Sequence, residues 1–286
     1  MIPSSFDYVA AATVEEAVRV LSGVDADAKV LAGGQSLVPV LRLRLAAPAT
    51  LVDLNRISEL RGVREDGDAL VVGAMTTHHD VLNDPLVGQH AELLALATRT
   101  VGDPQIRHRG TLGGALVHAD PAGDLPAPVV ALGAEMVIVG PGGRRTVPAA
   151  EFFTGLFSTA VGPEEVLVEV RIPKRTGWGA HYEKFHRTAQ AWSIVAVAAA
   201  VLVEDEVITQ ARVALTNMGA TPVRASGVEQ ALTGQPAEAK TIRAAAAHAA
   251  EGTSPMSDGS ADADYRRHLA RVLTRRAVAA AAGVDG

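Results

Sequence analysis

The start of the chain shows the hydrophobic spacing of a helix followed by that of a short strand. Apolar residues recur at helical spacing between Val14 and Leu21, and Thr13 and Glu16 are spaced as in a capping box. The pattern therefore predicts a helix that ends at Gly23, where glycine is a common stop signal.

The same reasoning predicts elements along the rest of the chain. Short apolar runs bounded by turn residues predict strands at 29–31, 51–54, 69–73, 135–139, 165–172, 180–185, 193–203 and 207–215. Helical spacing predicts helices at 37–45, with Ser36 as a possible cap, after 76–80, at 92–100, and in the alanine-rich remainder apart from a break at 252–262. The Gly-, Pro- and Asp-rich segment 102–124 is predicted to be a loop.

Composition excludes several classes of protein. The 286 residues carry a formal net charge of −6, which disfavours a nucleic-acid binder. The longest apolar run, 194–203, has about half the length that a membrane-spanning helix needs. No basic region followed by an apolar core opens the chain, so we expect a cytoplasmic protein. Because there is no cysteine, the chain cannot ligate an ordinary iron–sulfur cluster by itself.

Two glycine-centred segments carry the candidate chemistry, at 29–37 and at 111–124. Each places a Gly-Gly pair beside small or hydroxyl residues, where the backbone can approach a bulky anionic ligand and turn its N–H groups toward it. Neither segment has the third glycine of a dinucleotide-binding Rossmann fingerprint or the lysine of a Walker A loop. An ordinary turn after a strand, or a loop with solvated charges, accounts equally well for either segment alone.

The second segment is the richer in polar groups. Thr111, Gly113 and Gly114 can offer a hydroxyl and bare N–H groups to a pyrophosphate, and Asp124 can accept hydrogen bonds from ribose or ribityl hydroxyls.

The order of the motifs resembles the flavin-binding subunits of the molybdenum hydroxylases, a group that includes the medium subunit of carbon monoxide dehydrogenase and the flavin segment of xanthine dehydrogenase. The resemblance rests on short motifs spread over nearly the whole chain. They are Ala-Gly-Gly-Gln-Ser-Leu at 32–37, Thr-Leu-Gly-Gly at 111–114, His-Ala-Asp-Pro at 118–121, Glu-Phe-Phe-Thr-Gly at 151–155, Tyr-Glu-Lys-Phe at 182–185, Gly-Ala-Thr-Pro-Val-Arg at 219–224 and Tyr-Arg-Arg-His-Leu at 265–269.

This resemblance implies an α+β fold. An FAD-binding domain of the vanillyl-alcohol-oxidase type (PCMH-like) is expected at 1–176, with two subdomains that divide near 55. A small C-terminal domain with a three-stranded antiparallel sheet and helices is expected at 177–286. The composition shift at 173–179 marks the same boundary.

The resemblance also implies which residues would bind FAD. They are Ala32, Gly33, Gly34, Gln35, Ser36, Leu37, Val101, Thr111, Gly113, Gly114, Ala115, His118, Asp120, Asp124, Leu167, Lys184 and Trp192. Trp192 would shield a face of the isoalloxazine; its alternative is a buried core aromatic. No catalytic residue and no metal ligand is expected in this chain.

Three positions depart from the family pattern. Gln35 stands where the carbon monoxide dehydrogenase pattern has histidine, which disfavours that substrate. Ala191 and Trp192 replace acidic residues of the xanthine dehydrogenase branch, which disfavours direct reduction of NAD. Ala115 replaces an asparagine that many relatives have after the Gly-Gly pair.

The function that the resemblance implies is electron transfer within a heteromeric molybdenum hydroxylase, an oxidoreductase. A large partner subunit would carry the molybdenum cofactor, and a small one two [2Fe–2S] clusters, in a dimer of heterotrimers. Electrons would reach an external acceptor through FAD on this chain. The alternatives are a flavin-free scaffold subunit and a stand-alone flavin oxidase; for the latter no acid/base constellation with supporting spacing is found.

Two further groups of residues have simple interpretations. His78 and His79 are adjacent, so on a helix their side chains diverge and a zinc site is disfavoured. Arginines at 266, 267, 271, 275 and 276 predict a basic face on the last helix, solvated or turned toward another subunit.

Overall fold

The computed structural model describes residues 2–23 and 27–285 of the chain. Its strands are β1 (Asp7–Ala10), β2 (Ala28–Leu31), β3 (Thr50–Asp53), β4 (Val63–Asp66), β5 (Ala69–Gly73), β6 (Glu135–Gly140), β7 (Gly143–Pro148), β8 (Phe153–Gly155), β9 (Ser158–Thr159), β10 (Val166–Pro173), β11 (Gly179–Phe185), β12 (Val195–Glu204), β13 (Val207–Thr216), β14 (Val223–Arg224) and β15 (Gln235–Pro236).

Its α-helices are α1 (Val14–Gly23), α2 (Leu37–Arg42), α3 (His78–Asn83), α4 (Pro85–His90), α5 (Glu92–Arg99), α6 (Pro104–Arg107), α7 (Leu112–His118), α8 (Pro126–Leu132), α9 (Ala149–Phe152), α10 (Ser226–Leu232), α11 (Ala239–Ala246) and α12 (Ala263–Ala282). Short 3-10 turns lie at Ser58–Leu60 and Ala247–Ala250. The mixture of helices with largely antiparallel sheets confirms the predicted α+β class.

The N-terminal part of the chain forms a small parallel sheet covered by α1. Strands β1 and β2 both pair in parallel with the central β3. Helix α1 begins as predicted, since the Thr13 hydroxyl accepts from the Glu16 N–H at 3.1 Å and the Glu16 carboxylate accepts from the Ala12 N–H at 2.7 Å. Its apolar stripe packs with β3 and with one face of the next sheet. The first glycine-centred segment therefore runs through β2 and continues into the loop at the carboxyl end of that strand.

The second sheet is antiparallel and has the strand order β4-β5-β10-β6-β7. The register of β10 against β6 shifts between Leu167 and Glu169, which marks a bulge. Helices α3 to α8 intervene between β5 and β6. Segment 102–124 is thus not only loop: the prediction missed α6 and α7, because Pro104 occupies a first helical turn and Gly113 and Gly114 lie inside a helix.

The C-terminal part is an antiparallel sheet with α12 packed along it. The predicted strands correspond to the long strands β11, β12 and β13, while the two-residue strands β14 and β15 at the edge were not predicted. One face of this sheet, including Tyr182, Ala196 and Ala214, lies in the same core as the helices before residue 132. The opposite face packs on the C-terminal helices. The shared core fixes the sheet against the rest of the molecule.

The structure tests two predictions about surfaces, one on membrane-spanning helices and one on the basic face of the last helix. Among the helices of residues 2–23 and 27–285, none is long and apolar enough to cross a membrane. The proposed basic face of α12 is wrong for Arg266, which is only 1% exposed because its guanidinium turns inward under β12. Arg271 and Arg276 are exposed as expected.

Candidate functional site

The two glycine segments touch each other in the folded chain. A Cβ on Gly33 would come within 2.2 Å of the Arg109 carbonyl oxygen and 2.7 Å of the Gly110 Cα. A Cβ on Gly114 would lie 3.2 Å from the Cβ of Ala32. Backbone approaches this close require glycine, so the glycines at positions 33 and 114 let the two segments come together.

The first segment is held by hydrogen bonds from the end of β3. The Asn55 side-chain amide donates to the Ala32 carbonyl at 3.0 Å and to the Asp53 carboxylate at 2.6 Å. Gly34 adopts a φ of 77°, in the left-handed region that favours glycine. These hydrogen bonds and the backbone conformation of Gly34 therefore hold the loop after β2 in place.

Polar groups of the first segment remain available to a ligand. Ser36 precedes α2, but its side chain makes no capping hydrogen bond, so the predicted cap is wrong. Its backbone has helical angles, which do not aim the hydroxyl at the N–H groups of the first turn. Gln35 is exposed and only reaches the Gly33 carbonyl at 3.5 Å, and Leu37 is half-buried beside it.

The second segment runs beside the chain that follows β5. The Gly113 N–H donates to the Ala74 carbonyl at 2.8 Å, and a Cβ at Gly113 would meet the Ala74 Cβ at 2.6 Å. Interpreting Gly113 as the donor of a bare N–H is thus wrong, since its N–H is already used in packing. Thr111 is buried at the N-cap of α7, where its hydroxyl accepts from the Gly114 N–H at 3.2 Å.

Helix α7 carries the predicted residues Ala115 and His118, and Asp120 follows its C-terminal end. Ala115 is half-buried against the main core. The His118 Nε2 lies 3.9 Å from the Asp120 Oδ2, and the Asp120 Oδ1 accepts from the Ala122 N–H at 2.9 Å. These contacts turn the chain after α7 toward Asp124.

Asp124 is the centre of a buried polar cluster. Its Oδ1 accepts from the Tyr182 hydroxyl and from the Ser193 hydroxyl, both at 2.9 Å, and its Oδ2 accepts from the Lys184 ammonium at 2.7 Å. Burial raises the pKa of the Asp124 carboxyl, while Lys184 and the two hydroxyls oppose the rise. Burial also raises the pKa of Tyr182 well above its ordinary value. Three donors from β11 and the segment before β12 thus converge on one carboxylate of the preceding domain.

Lys184 links this cluster to the segment before α6. Its side chain is 4% exposed, and its ammonium also donates to the Thr100 carbonyl at 3.2 Å, next to the half-buried Val101. Leu167 lies instead inside the main core, 3% exposed and opposite Ile138 on the neighbouring strand. The structure thus groups Val101 with Lys184 and places Leu167 in the packing beneath them.

Trp192 lies on the loop between β11 and β12 and is 56% exposed. Its alternative interpretation as a buried core aromatic is therefore wrong. The same loop reaches the segment before α6, because the Gln190 side chain donates to the Asp103 carboxylate at 2.8 Å. A large exposed indole on a loop that contacts the segment before α6 is suited to covering a planar ligand.

Sequence reasoning missed several residues that position these groups. Asn55 holds the first segment, and Tyr182 and Ser193 complete the cluster around Asp124. Tyr182 and Lys184 are two residues apart on a strand, so the two-residue period of β11 could have placed both on one face. Ser193 carried no comparable signal, because its contact depends on how the sheet packs on the preceding domain.

The adjacent histidines have different surroundings in the structure. No group of three or more potential metal ligands occurs in the part of the chain that the structure describes. His78 is buried against Gly110, and burial, followed by the nearby charge of Arg107, lowers its pKa to about 4. His79 points elsewhere and stacks on His108, with ring centroids 3.9 Å apart.

The arrangement fits an elongated flavin dinucleotide. Glycines lie where the two segments touch, and a Cβ there would collide with the opposite segment. The Ser36 hydroxyl and the Gln35 amide lie beside these glycines and remain available to a ligand. Elsewhere on the chain Trp192 supplies an exposed aromatic surface, while the Lys184 ammonium is buried in its ion pair with Asp124. Bare backbone and hydroxyls suit a pyrophosphate, and the aromatic surface suits a planar ring system.

Comparison with known proteins finds similar sequences along nearly the whole chain. The sequence profile of the "FAD binding domain in molybdopterin dehydrogenase" matches residues 4–175, and that of the "CO dehydrogenase flavoprotein C-terminal domain" matches residues 180–281. The carbon monoxide dehydrogenase medium chain of Hydrogenophaga pseudoflava is 42% identical over 284 residues, which cover 98% of both chains. The caffeine dehydrogenase subunit beta of a Pseudomonas species is 37% identical and covers 99% of this chain and 96% of its own.

A solved structure agrees with the fold throughout. It is a carbon monoxide dehydrogenase from Hydrogenophaga pseudoflava that lacks the Mo-pyranopterin moiety of the molybdenum cofactor. One of its chains superposes with a TM-score of 0.95 at 43% identity and covers 98% of each chain. The similarity therefore extends over both parts of this chain.

Proposed function

The chain belongs to the family of FAD-binding medium subunits of molybdenum hydroxylases, and from that premise we propose that it relays electrons between two partner subunits and an external acceptor. It is an FAD-containing oxidoreductase subunit. The observation that carries the proposal is the contact of the two glycine segments, whose backbones approach each other at Gly33 and Gly114.

We propose that the pyrophosphate is bound by 32–37 and by the 111–115 turn. Gly33, Gly34 and Gly114 allow the close approach, while Ser36 and Gln35 offer side-chain hydrogen bonds. His118, Asp120 and Asp124 would line the path toward the ring system. Asn55 would hold the cradle in place through the Ala32 carbonyl.

The flavin end of the site is proposed to lie between the segment at Val101 and the loop of Trp192. When bound, FAD supplies an isoalloxazine that can take up and release electrons. Lys184 would support this end through its buried ion pair with Asp124, and Trp192 would cover the isoalloxazine from solvent. Leu167 would support this end from the core, where it is buried.

The partners follow from the same family. Relatives are named as medium chains or subunits of larger enzymes, so this chain is one subunit of a multi-subunit complex. We propose a small subunit with two [2Fe–2S] clusters and a large subunit with the molybdenum cofactor, arranged as a dimer of heterotrimers in the cytoplasm. This chain has no cysteine, so cluster thiolates must come from another chain.

The domain division is proposed to lie at 176, with a further division near 55. Strand β10 ends at Pro173 and β11 begins at Gly179, so the division falls in the connection between two sheets.

The test is purification of the full chain together with the chains that accompany it. The complex should show the two visible bands of an oxidised flavin, should release FAD on denaturation, and should include a cysteine-rich small chain and a large chain. A colourless complex that also fails to take up added FAD would support a flavin-free scaffold and overturn the proposal. A flavin-containing chain that oxidises a substrate without partners would support a stand-alone oxidase.

A further inference from the structure

A buried arginine lies behind the loop that carries Trp192. Arg266 is in the first turns of α12 and its side chain is 2% exposed. One arm of its guanidinium donates to the backbone carbonyl of Ile194, and the other donates to the Asp258 carboxylate at 2.6 Å. The arginine therefore joins the last long helix to the start of β12.

Placing Arg266 in the core is unfavourable in free energy compared with placing an apolar side chain there. Removing an arginine from water is unfavourable, and Asp258, its carboxylate partner within the described part of the chain, is itself 53% exposed. The Nε–H of Arg266 has no acceptor among residues 2–23 and 27–285. An apolar side chain would fill the same volume at lower cost. What arginine adds at this position is a charge-assisted hydrogen bond to one chosen carbonyl.

That carbonyl belongs to the residue at which the loop becomes a strand. The Ile194 N–H donates to the Phe185 carbonyl at 2.8 Å, which closes the loop from 186 to 193. Ser193, directly before it, donates to Asp124 through its hydroxyl and accepts from the Asn217 side chain at 2.8 Å through its carbonyl. Trp192 comes immediately before Ser193, so a hydrogen bond that holds the Ile194 backbone also restrains the backbone that carries both side chains.

We propose that Arg266 is a positioning residue of the flavin site: through the Ile194 carbonyl it fixes the loop that presents Trp192 to the flavin and Ser193 to Asp124. The inference rests on the proposed function, since it assigns Arg266 to that site. Arg266 touches neither Trp192 nor Asp124 and acts only through the backbone at 193–194. Without it, the loop remains attached by the hydrogen bond from Asn217 and by its pairing with β11.

The first test measures amide hydrogen exchange over 186–194 in the full chain by mass spectrometry. Arg266→Met should raise exchange there by about tenfold or more, the size expected when a charge-assisted hydrogen bond is lost. Asp258→Asn keeps the donor to Ile194 and should leave this exchange unchanged. Arg266→Lys retains a single ammonium and should restore part of the protection.

Two controls separate positioning from general destabilisation. Leu273→Ala removes a buried side chain from the same helix without touching the loop, and Arg267→Met removes a half-exposed arginine next to Arg266. Neither should raise exchange at 186–194 selectively. Equal exchange in Arg266→Met and the unaltered chain, or the same local rise in Leu273→Ala, would overturn the inference.

The second test measures FAD affinity in the assembled complex. Arg266→Met should weaken retention of FAD by about tenfold, because the loop must then be ordered when the ligand binds. If the unaltered complex holds no flavin, the proposed function fails, while the exchange experiment still shows whether Arg266 holds the loop. If the unaltered complex holds flavin and Arg266→Met retains it equally, the inference alone fails.

Discussion

Gly33 lies against Arg109 so closely that a methyl group on Gly33 would come within 2.2 Å of the Arg109 carbonyl oxygen. The atoms that would have to move belong to the backbone, so no side-chain rotation relieves the clash. The contact joins segments that are about eighty residues apart in the sequence.

Gly33→Ala should therefore separate the two segments and abolish FAD retention. Gly33 lies in the loop between β2 and α2, so the far-ultraviolet circular dichroism should change little. Flavin content of the purified complex is the measurement. The matched control is Gly88→Ala in α4, where a Cβ would meet nothing within 4 Å. Full flavin content in Gly33→Ala would contradict the proposed cradle.

Ser36→Ala should weaken FAD binding without weakening the fold. The Ser36 side chain makes no capping hydrogen bond, so the free energy of unfolding should change by no more than about 0.5 kcal/mol. Loss of a hydrogen bond to a charged phosphate should raise the dissociation constant for FAD roughly tenfold. Titration with FAD and urea unfolding measure the two effects. Ser22→Ala, in the exposed last turn of α1, should change neither, and an unchanged affinity in Ser36→Ala would remove Ser36 from the site.

Lys184→Met should destabilise the flavin-free chain by about 3–5 kcal/mol, because it leaves the Asp124 carboxylate buried without its cation. Adding Asp124→Asn should recover part of this loss, since the buried charge is then absent. Urea unfolding of the two single variants and the double variant gives the coupling free energy. Strictly additive effects would show that the ion pair does not act as a unit.

Stability should fall as the solution is acidified through the titration of His78. Its folded pKa of about 4 lies below the ordinary value of 6.5, so the unfolded chain binds more protons between these values. The contribution of His78 is therefore complete above pH 6.5 and declines as the pH falls toward 4. Between pH 7 and pH 5 it should cost about 2 kcal/mol.

Unfolding by urea at pH 7 and pH 5 measures this loss. His78→Gln should flatten the dependence by about that amount, while His268→Gln, at an exposed position of α12, should leave it unchanged. The same slope in His78→Gln and the unaltered chain would assign the loss to other groups.

Local sequence signals predicted the elements whose hydrophobic period is regular. The capping box at Thr13 and Glu16 and the apolar runs of β12 and β13 gave elements close to the observed ones. They failed at α7, where Gly113 and Gly114 look like loop residues although Thr111 caps the helix. Those glycines are required by a tertiary contact, the approach to Ala74 and Ala32, which no local pattern records.

The residues of the candidate site were likewise predictable where a local motif marks them and not where a tertiary contact defines them. Chain order and motif type pointed to the glycine segments, Asp124 and Lys184, and the structure brings Asp124 and Lys184 into contact. Arg266 was misplaced on a basic surface because helical periodicity alone cannot tell which arginine has a carbonyl within reach. Ser193 contacts a buried carboxylate oxygen and Asn55 a backbone carbonyl, both on distant segments. Such contacts cannot be read from the composition.

The order in which the chain is synthesised gives the Asp124 cluster a consequence for folding. Its partners Tyr182, Lys184 and Ser193 follow it by 58, 60 and 69 residues. At ordinary rates of translation that interval lasts roughly 3–14 s, during which the carboxylate has none of its donors. Until β11 is synthesised the Asp124 carboxylate must keep its hydration, so its burial is completed only when the second sheet docks.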